Sequence, residues 1–334
     1  MDPHQQTLRA GTCAIVCALL LRLGAGGFFD PLAEFLAKPN ITSFLIYLET
    51  GRIVRFSYSP QEQAVFAMES PPPDFALEAT IPEELPEFSP EDGENVLLRN
   101  NSSLKPEPEK LICQPLDWDL TVDAPTVLIL HTHATESYTK SEGEKYQESS
   151  AYRTLDQDYN MVGVGDYLTA LLEAAGITAI HDRELHDYPS YNGSYNHARK
   201  AIAAYLKEYP TIRLVLDLHR DASGDNKNQL RPLATVEGEK AAQLMIVVGT
   251  SGSGLEHPQW KENLALGLKL HVQLERIAPG ICRYVNLRSQ RFNQDMSPGA
   301  LLVEVGGAGN THGEARKATE ILAKGIIALS KGSG

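Results

Sequence analysis

The chain has 334 residues, 42% hydrophobic and 22% charged, with a formal net charge of −13. That length holds one sizeable domain with an appendage, or two small domains. So acidic a chain lacks the basic footprint of a nucleic-acid binder, and no P-loop, GxGxxG or GxSxG sequence points to nucleotide binding or serine-hydrolase chemistry.

From the N-terminus, Gly11 to Phe29 is apolar except for Arg22. Such a run has about the length that crosses a bilayer. A central arginine weakens insertion by about 2.5–3.5 kcal/mol, and the Leu23 to Gly27 stretch (LGAGG) also reads as a small-residue cleavage site. The run length favours an uncleaved membrane anchor over residues 1–30, and either reading exports the rest of the chain. Residues 31–69 form an extracytoplasmic segment without an assigned role, although Ile41 to Glu49 is apolar and Arg52 to Tyr58 alternates like a strand. Residues 70–110 are rich in proline and acid (PPPDF, IPEELPEFSPEDGE, LKPEPEK). That composition buries little apolar surface, so an extended linker or stalk is expected there.

From Leu111 to Gly334 strands alternate with helices. Helical spacing predicts helices over Asp158–Ala175, Ser194–Tyr209, Gln259–Ile277 and Gly313–Leu329. Apolar runs predict strands at Val127–Leu130, Ile177–Ile180, Leu214–His219, Leu244–Gly249 and Leu301–Gly306. The alternation implies an α/β fold: a mostly parallel sheet flanked by helices. Cys113 and Cys282 are the two cysteines of this part; they are candidates for one disulfide, and no CxxC pair exists to hold a metal.

Three of the predicted strands end in groups that bind metal or move protons. Val127 to Leu130 leads into His131, His133 and Glu136, on the loop where open α/β sheets place their sites. Imidazole and carboxylate suit zinc, which in catalytic sites takes three protein ligands and keeps one position open. The second run ends in His219, with Asp217 before it and Arg220 and Asp221 after it. Strand alternation puts Asp217 and His219 on one face, where the carboxylate can orient the imidazole. In the third run Glu304 interrupts an apolar strand just before a glycine-rich turn. A carboxylate there costs several kcal/mol unless paired, protonated or beside a metal. Buried structural histidines and a salt-bridged glutamate are the plain alternative to a metal site.

The segments HTHATESY, GVGDYLTALLEAAGI, HDYPSYNGSYNHAR, LDLHRDA, IVVGT, HPQWKENLALGLKL and RFNQDMSPGALLVEVGGAGNT together resemble the stage II sporulation protein P family, from about Leu111 to the C-terminus. The resemblance implies an amidase-like, zinc-dependent catalytic domain over residues 111–334. It implies a peptidoglycan hydrolase of endospore formation, related to N-acetylmuramoyl-L-alanine amidases, with amidase and endopeptidase activity in engulfment. Implied partners are stage II sporulation proteins D and M, with the chain anchored in the mother-cell membrane and its catalytic domain outside the cytoplasm. Carried over by residue, the zinc ligands are His133, Glu136 and His219, and Glu304 is the catalytic glutamate. His131 stays open as the alternative ligand or a group behind it, and Asp156 or Asp158 as a replacement for Glu136. Arg220 is a candidate oxyanion stabiliser or the partner of Asp217 or Asp221. Arg291, Asn293 and Tyr191 are candidate substrate contacts, and of the arginines shortly before the Glu304 strand, Arg288 and Arg291, one is suited to a stem-peptide carboxylate. Two other functions stay in view: a zinc carboxypeptidase-like enzyme on free peptides and a non-catalytic wall-binding scaffold.

Overall fold

The computed structural model describes residues 80–224 and 228–333. The expected anchor and the segment 31–69 lie outside these residues. Among the described residues no helix is long and apolar enough to cross a membrane.

A seven-stranded sheet runs through the domain. In chain order its strands are β1 (Leu98–Asn101), β2 (Val127–Leu130), β5 (Ala179–His181), β6 (Leu214–Asp221), β9 (Leu244–Val248), β10 (Val285–Arg288) and β11 (Ala300–Gly307). Two small hairpins, β3 (Glu148–Ser150) with β4 (Arg153–Thr154) and β7 (Leu233–Val236) with β8 (Glu239–Ala242), stand apart from it. The spatial order is β1-β10-β9-β11-β6-β2-β5. All pairs are parallel except β9 with β11. The sheet is therefore mostly parallel, as expected, with one antiparallel seam beside the strand that carries Glu304.

The helices are α1 (Pro90–Asn95), α2 (Pro108–Leu111), α3 (Met161–Ala174), α4 (Ser194–Glu208), α5 (Trp260–Ile277) and α6 (His312–Ala328). Helices α3, α5 and α6 pack on one face, where Ile246, Val248, Leu287, Val303 and Val305 point. On the other face α4 covers only part of the sheet, setting Ala198 and Ile202 against Leu128, Leu130 and Val215. Met245, Val247 and Leu302 lie on that second face beyond α4, against Tyr284 and Phe292. This uncovered half of the sheet is the floor of a cleft.

The linker expected over 70–110 is corrected by the structure for its second half. Pro90–Asn95 is a helix with a Ser89–Asp92 capping box, and β1 pairs with β10 through the whole of its length. Proline and acid content misled in part because Pro90 and Pro108 sit at helix starts, where a missing N–H costs nothing. A buried lysine ties the segment down. Lys269 of α5 donates to the Ile112 carbonyl at 2.6 Å and sits 4.4 Å from the Phe88 ring centre. Cys113 and Cys282 are both free thiols, so the candidate disulfide is absent.

Burial depresses the Lys269 ammonium from the usual 10.5 to about 8. Between those values the unfolded chain holds a proton that the folded chain has lost, so stability rises with pH there. Relative to Lys269→Met, the wild type should gain roughly 1–3 kcal/mol as pH rises from about 8 to 10.5, read from urea unfolding midpoints. A constant difference would mean the lysine is not desolvated.

Candidate active site

Strand β2 delivers the first site residues because all four of its side chains are buried and it sits between β5 and β6. The chain leaves it at His131, which turns under the sheet. Its Nδ1 lies 3.1 Å from the Leu218 carbonyl and its Nε2 lies 2.8 Å from Nε2 of His181. His181 in turn meets Asp166 at 2.9 Å. Gly165 of α3 makes this possible, since a Cβ there would overlap both imidazoles. With both ring nitrogens engaged, His131 has none to offer a metal, and it is absent from the cleft lining.

The next residue fixes the floor of the site. Thr132 donates to Asp217 from its amide at 2.7 Å and from its hydroxyl at 2.6 Å. The locked Asp217 carboxylate lies 2.8 Å from Nε2 of His219. That nitrogen is not aligned for a hydrogen bond, so the contact is electrostatic. The orienting role expected of Asp217 thus has its geometry.

His133, Glu136, His219 and Glu304 all line one cleft of about 600 Å³. The His133 and His219 rings meet edge-on with centres 5.3 Å apart. Glu136 Oε2 is 3.7 Å from Nδ1 of His219. Strand register sets Glu304 directly beside His219. Burial, then His219, pulls the His133 imidazole down to about 4, so it is neutral at ordinary pH, the form that binds metal. Burial would lower His219 too, but the Asp217 carboxylate overcomes it, with Glu136 and Glu304 adding to the pull, and lifts it to about 9. Burial raises Glu304 to about 8, with Glu136 and Asp221 adding to it against His219. Glu136 would be raised by burial, yet Arg220 first, then His219, hold it below the ordinary value.

These residues fit a divalent cation on three grounds. The Asp217 and Glu136 carboxylates act on one imidazole, with Glu304 adding to them once ionised, so the pocket favours added positive charge. His133 Nδ1 and Glu304 Oε2 are buried without a hydrogen-bond partner. Two histidines and a glutamate are also an accepted zinc donor set. A tighter His/carboxylate cluster, Asp182, Glu184 and His186, has its ligand atoms within 4.8 Å of one another, but it lies outside the cleft lining. There His186 and Asp182 already pair at 2.9 Å.

Arg220 borders the cleft, but its guanidinium is engaged by the neighbouring loop. Its Nε donates to the Ser137 carbonyl at 3.0 Å, Nη2 to the Tyr152 carbonyl at 2.8 Å and Nη1 to Glu136 at 3.2 Å. It clamps the Glu136 loop: of the two expected readings the structure shows the ion pair, made with Glu136 in place of Asp217 or Asp221. Two of the expected substrate contacts are also displaced. Arg291 is held by Asp295 at 3.3 Å, and the Asn293 amide donates to the Tyr195 carbonyl at 2.8 Å. Tyr191 does reach the site, stacked on His133 at 4.4 Å with Arg153 5.0 Å from its ring centre on the loop side. Asp156 and Asp158 are not among the residues lining the cleft.

Tyr195, of the tyrosine-rich stretch whose aromatic residues could lie against a glycan, lines the cleft; sequence reasoning missed Arg99, Asn101, Tyr284, Asn286 and Phe292, which also line it. A period-2 signal existed in Val285-Asn-Leu-Arg288, whose valine and leucine are buried in the core cluster.

Fold and cleft together define an α/β protein whose site combines two histidines and two glutamates on a half-open sheet. The sequence profile described as Stage II sporulation protein P (SpoIIP) matches residues 52–327. The chain belongs to the stage II sporulation protein P family. It is 27% identical over 267 residues to Stage II sporulation protein P of Bacillus subtilis (strain 168), covering 76% of this chain and 60% of that relative's length. Among solved structures, the N-acetylmuramyl-L-alanine amidase Ami1 from Mycobacterium smegmatis aligns at 13% identity and a TM-score of 0.37, over 64% of this chain and 99% of that one. The CwlD amidase from Clostridioides difficile, solved in complex with the GerS lipoprotein, aligns at 15% identity and a TM-score of 0.38, over 62% and 97%. At these scores the structural likenesses carry no argument about activity.

Arg220→Ala leaves a buried Glu136 and two loop carbonyls without their main donor. The expected cost is about 3–5 kcal/mol of stability, measured by denaturant unfolding, with Arg220→Lys recovering less than half because one ammonium cannot fork to three acceptors. A variant as stable as the wild type would return Arg220 to a role in the cleft.

Proposed function

We propose that the chain is a zinc-dependent peptidoglycan hydrolase that cuts amide bonds, as an N-acetylmuramoyl-L-alanine amidase and endopeptidase, during engulfment in endospore formation. The observation that carries this is the meeting of His133, Glu136, His219 and Glu304 in one cleft, in a chain of the stage II sporulation protein P family. His133, Glu136 and His219 would hold the zinc. When bound there, zinc supplies an acidified water and a polarised scissile carbonyl.

The chain's own residues do the rest. Glu304 takes a proton from the attacking water and returns it to the leaving amine, a transfer suited to a carboxyl whose proton affinity burial has raised. Asp217 holds the His219 ring in place, and Thr132 holds Asp217. The Tyr195 hydroxyl, on a ring set edge-on to His133 at 5.5 Å, is the donor for the developing oxyanion. We place the domain outside the cytoplasm, tethered by the apolar segment Gly11 to Phe29, beside stage II sporulation proteins D and M.

Digestion of purified sacculi by the full chain tests this reading. Glu304→Gln is expected to keep its zinc and lose about 100-fold or more in muropeptide release. His133→Ala and His219→Ala are expected to lose zinc, while His131→Ala keeps it. Wild-type release by Glu304→Gln, or hydrolysis of free peptides with intact sacculi left uncut, would overturn the proposal. Mass spectrometry of the products separates cleavage at the muramoyl amide from cleavage at cross-links.

A further inference from the structure

The cleft has a second polar centre, on the side away from the histidines. Strands β1 and β10 run parallel with Arg99 beside Asn286 and Asn101 beside Arg288. Leu98, Val285 and Leu287 pack into the core. Alternation therefore sends Arg99, Asn101, Asn286 and Arg288 to the opposite face, and all four line the cleft. Asn101 donates to Asn286 at 2.9 Å, which joins the two strands' side chains into one patch. Arg99 rests on Tyr284, donating to its hydroxyl at 3.1 Å.

Other arginines around the cleft are matched to carboxylates. Arg220 meets Glu136, Arg283 meets Asp221 at 2.7 Å, and Arg291 meets Asp295. Arg99 and Arg288 have no carboxylate partner among the described residues. In a chain of net charge −13 such a pair is conspicuous. Two guanidinium groups and two amides facing one cleft are the donor set that recognises a carboxylate.

We propose that Arg99 and Arg288, framed by Asn101 and Asn286, form a subsite for the terminal carboxylate of the substrate's stem peptide. The inference rests on the peptidoglycan reading above and adds where the substrate is gripped. Strand spacing supplies the ruler. Arg288 stands two strands from Glu304 and Arg99 three strands. At 4.7–4.9 Å per strand that is roughly 10 and 14 Å. An extended peptide covers such a span in about three or four residues. A stem tetrapeptide lying across β11, β9 and β10 would thus put its first amide at Glu304 and its free end at the arginines.

The test is calorimetric binding of a synthetic stem tetrapeptide, L-alanyl-γ-D-glutamyl-diaminopimelyl-D-alanine, and of its C-terminal carboxamide, to the full chain. The wild type is expected to prefer the carboxylate form by about tenfold or more. Arg99→Gln and Arg288→Gln should each abolish that preference with unchanged circular dichroism, and Arg291→Gln should keep it. A wild type that binds neither peptide or does not distinguish them, or arginine variants that still distinguish them, would overturn the subsite. Muropeptide release from sacculi by the same preparations reads the hydrolase proposal separately, so the two can fail independently.

Discussion

Negative charge buried around a single imidazole governs the architecture of the site. Asp217 and Glu136 act on His219 from positions where water is largely excluded, and Glu304 lies beside it on the next strand. Such a group is stable only with a compensating cation. Arg220 supplies part of it and is fixed by two loop carbonyls as well as by Glu136. The remainder falls on His219 itself, which is why its proton is held to about pH 9. A divalent cation would serve the same electrostatic need, and the zinc proposal is at root a statement about this charge balance.

That balance reaches outward through short chains of contacts. Asp217 is locked by Thr132, so the strand end of β2 and the middle of β6 cannot shift independently. Asp187 holds the Thr135 amide and hydroxyl at 3.1 and 2.7 Å and also pairs with Arg153, which reaches on to Glu136. The loop from His131 to Glu136 is thereby pinned at three successive points. Preorganisation of this kind keeps charged groups from relaxing away from a reacting bond.

The uneven covering of the sheet makes the site accessible. One face carries three helices, while on the other α4 covers β2, β5 and β6 and the start of β11. The remainder of that face lines the cleft and is apolar under the centre, at Met245, Val247 and Leu302, and polar at the β1–β10 edge. A cleft with a charged acid–histidine end, an apolar floor and an arginine end has a direction, and it suits a substrate that is itself asymmetric.

Much of this was legible in the residues. Periodicity placed α3, α4, α5 and α6 within three residues of their ends, and the three polar strand ends singled out His133, Glu136, His219 and Glu304. These signals are local: an apolar repeat or an interrupted strand is visible in a few neighbouring positions. What local pattern left open, the tertiary structure decided. The sequence left His131 open as the alternative to His133, and the closeness of Gly165 and His181 takes it out of the cleft. Arg220 had Asp217 and Asp221 as its near candidates for a partner, but its carbonyl partners came from residues 68 and 83 positions away. The segment around Leu98–Asn101 had the composition of a linker, yet it became a strand because β10, some 185 residues on, offered an unpaired edge. The sequence by itself determined which chemistry was present. Long-range packing decided which of those groups share one space, because strand order and side-chain contacts join residues that no local window contains.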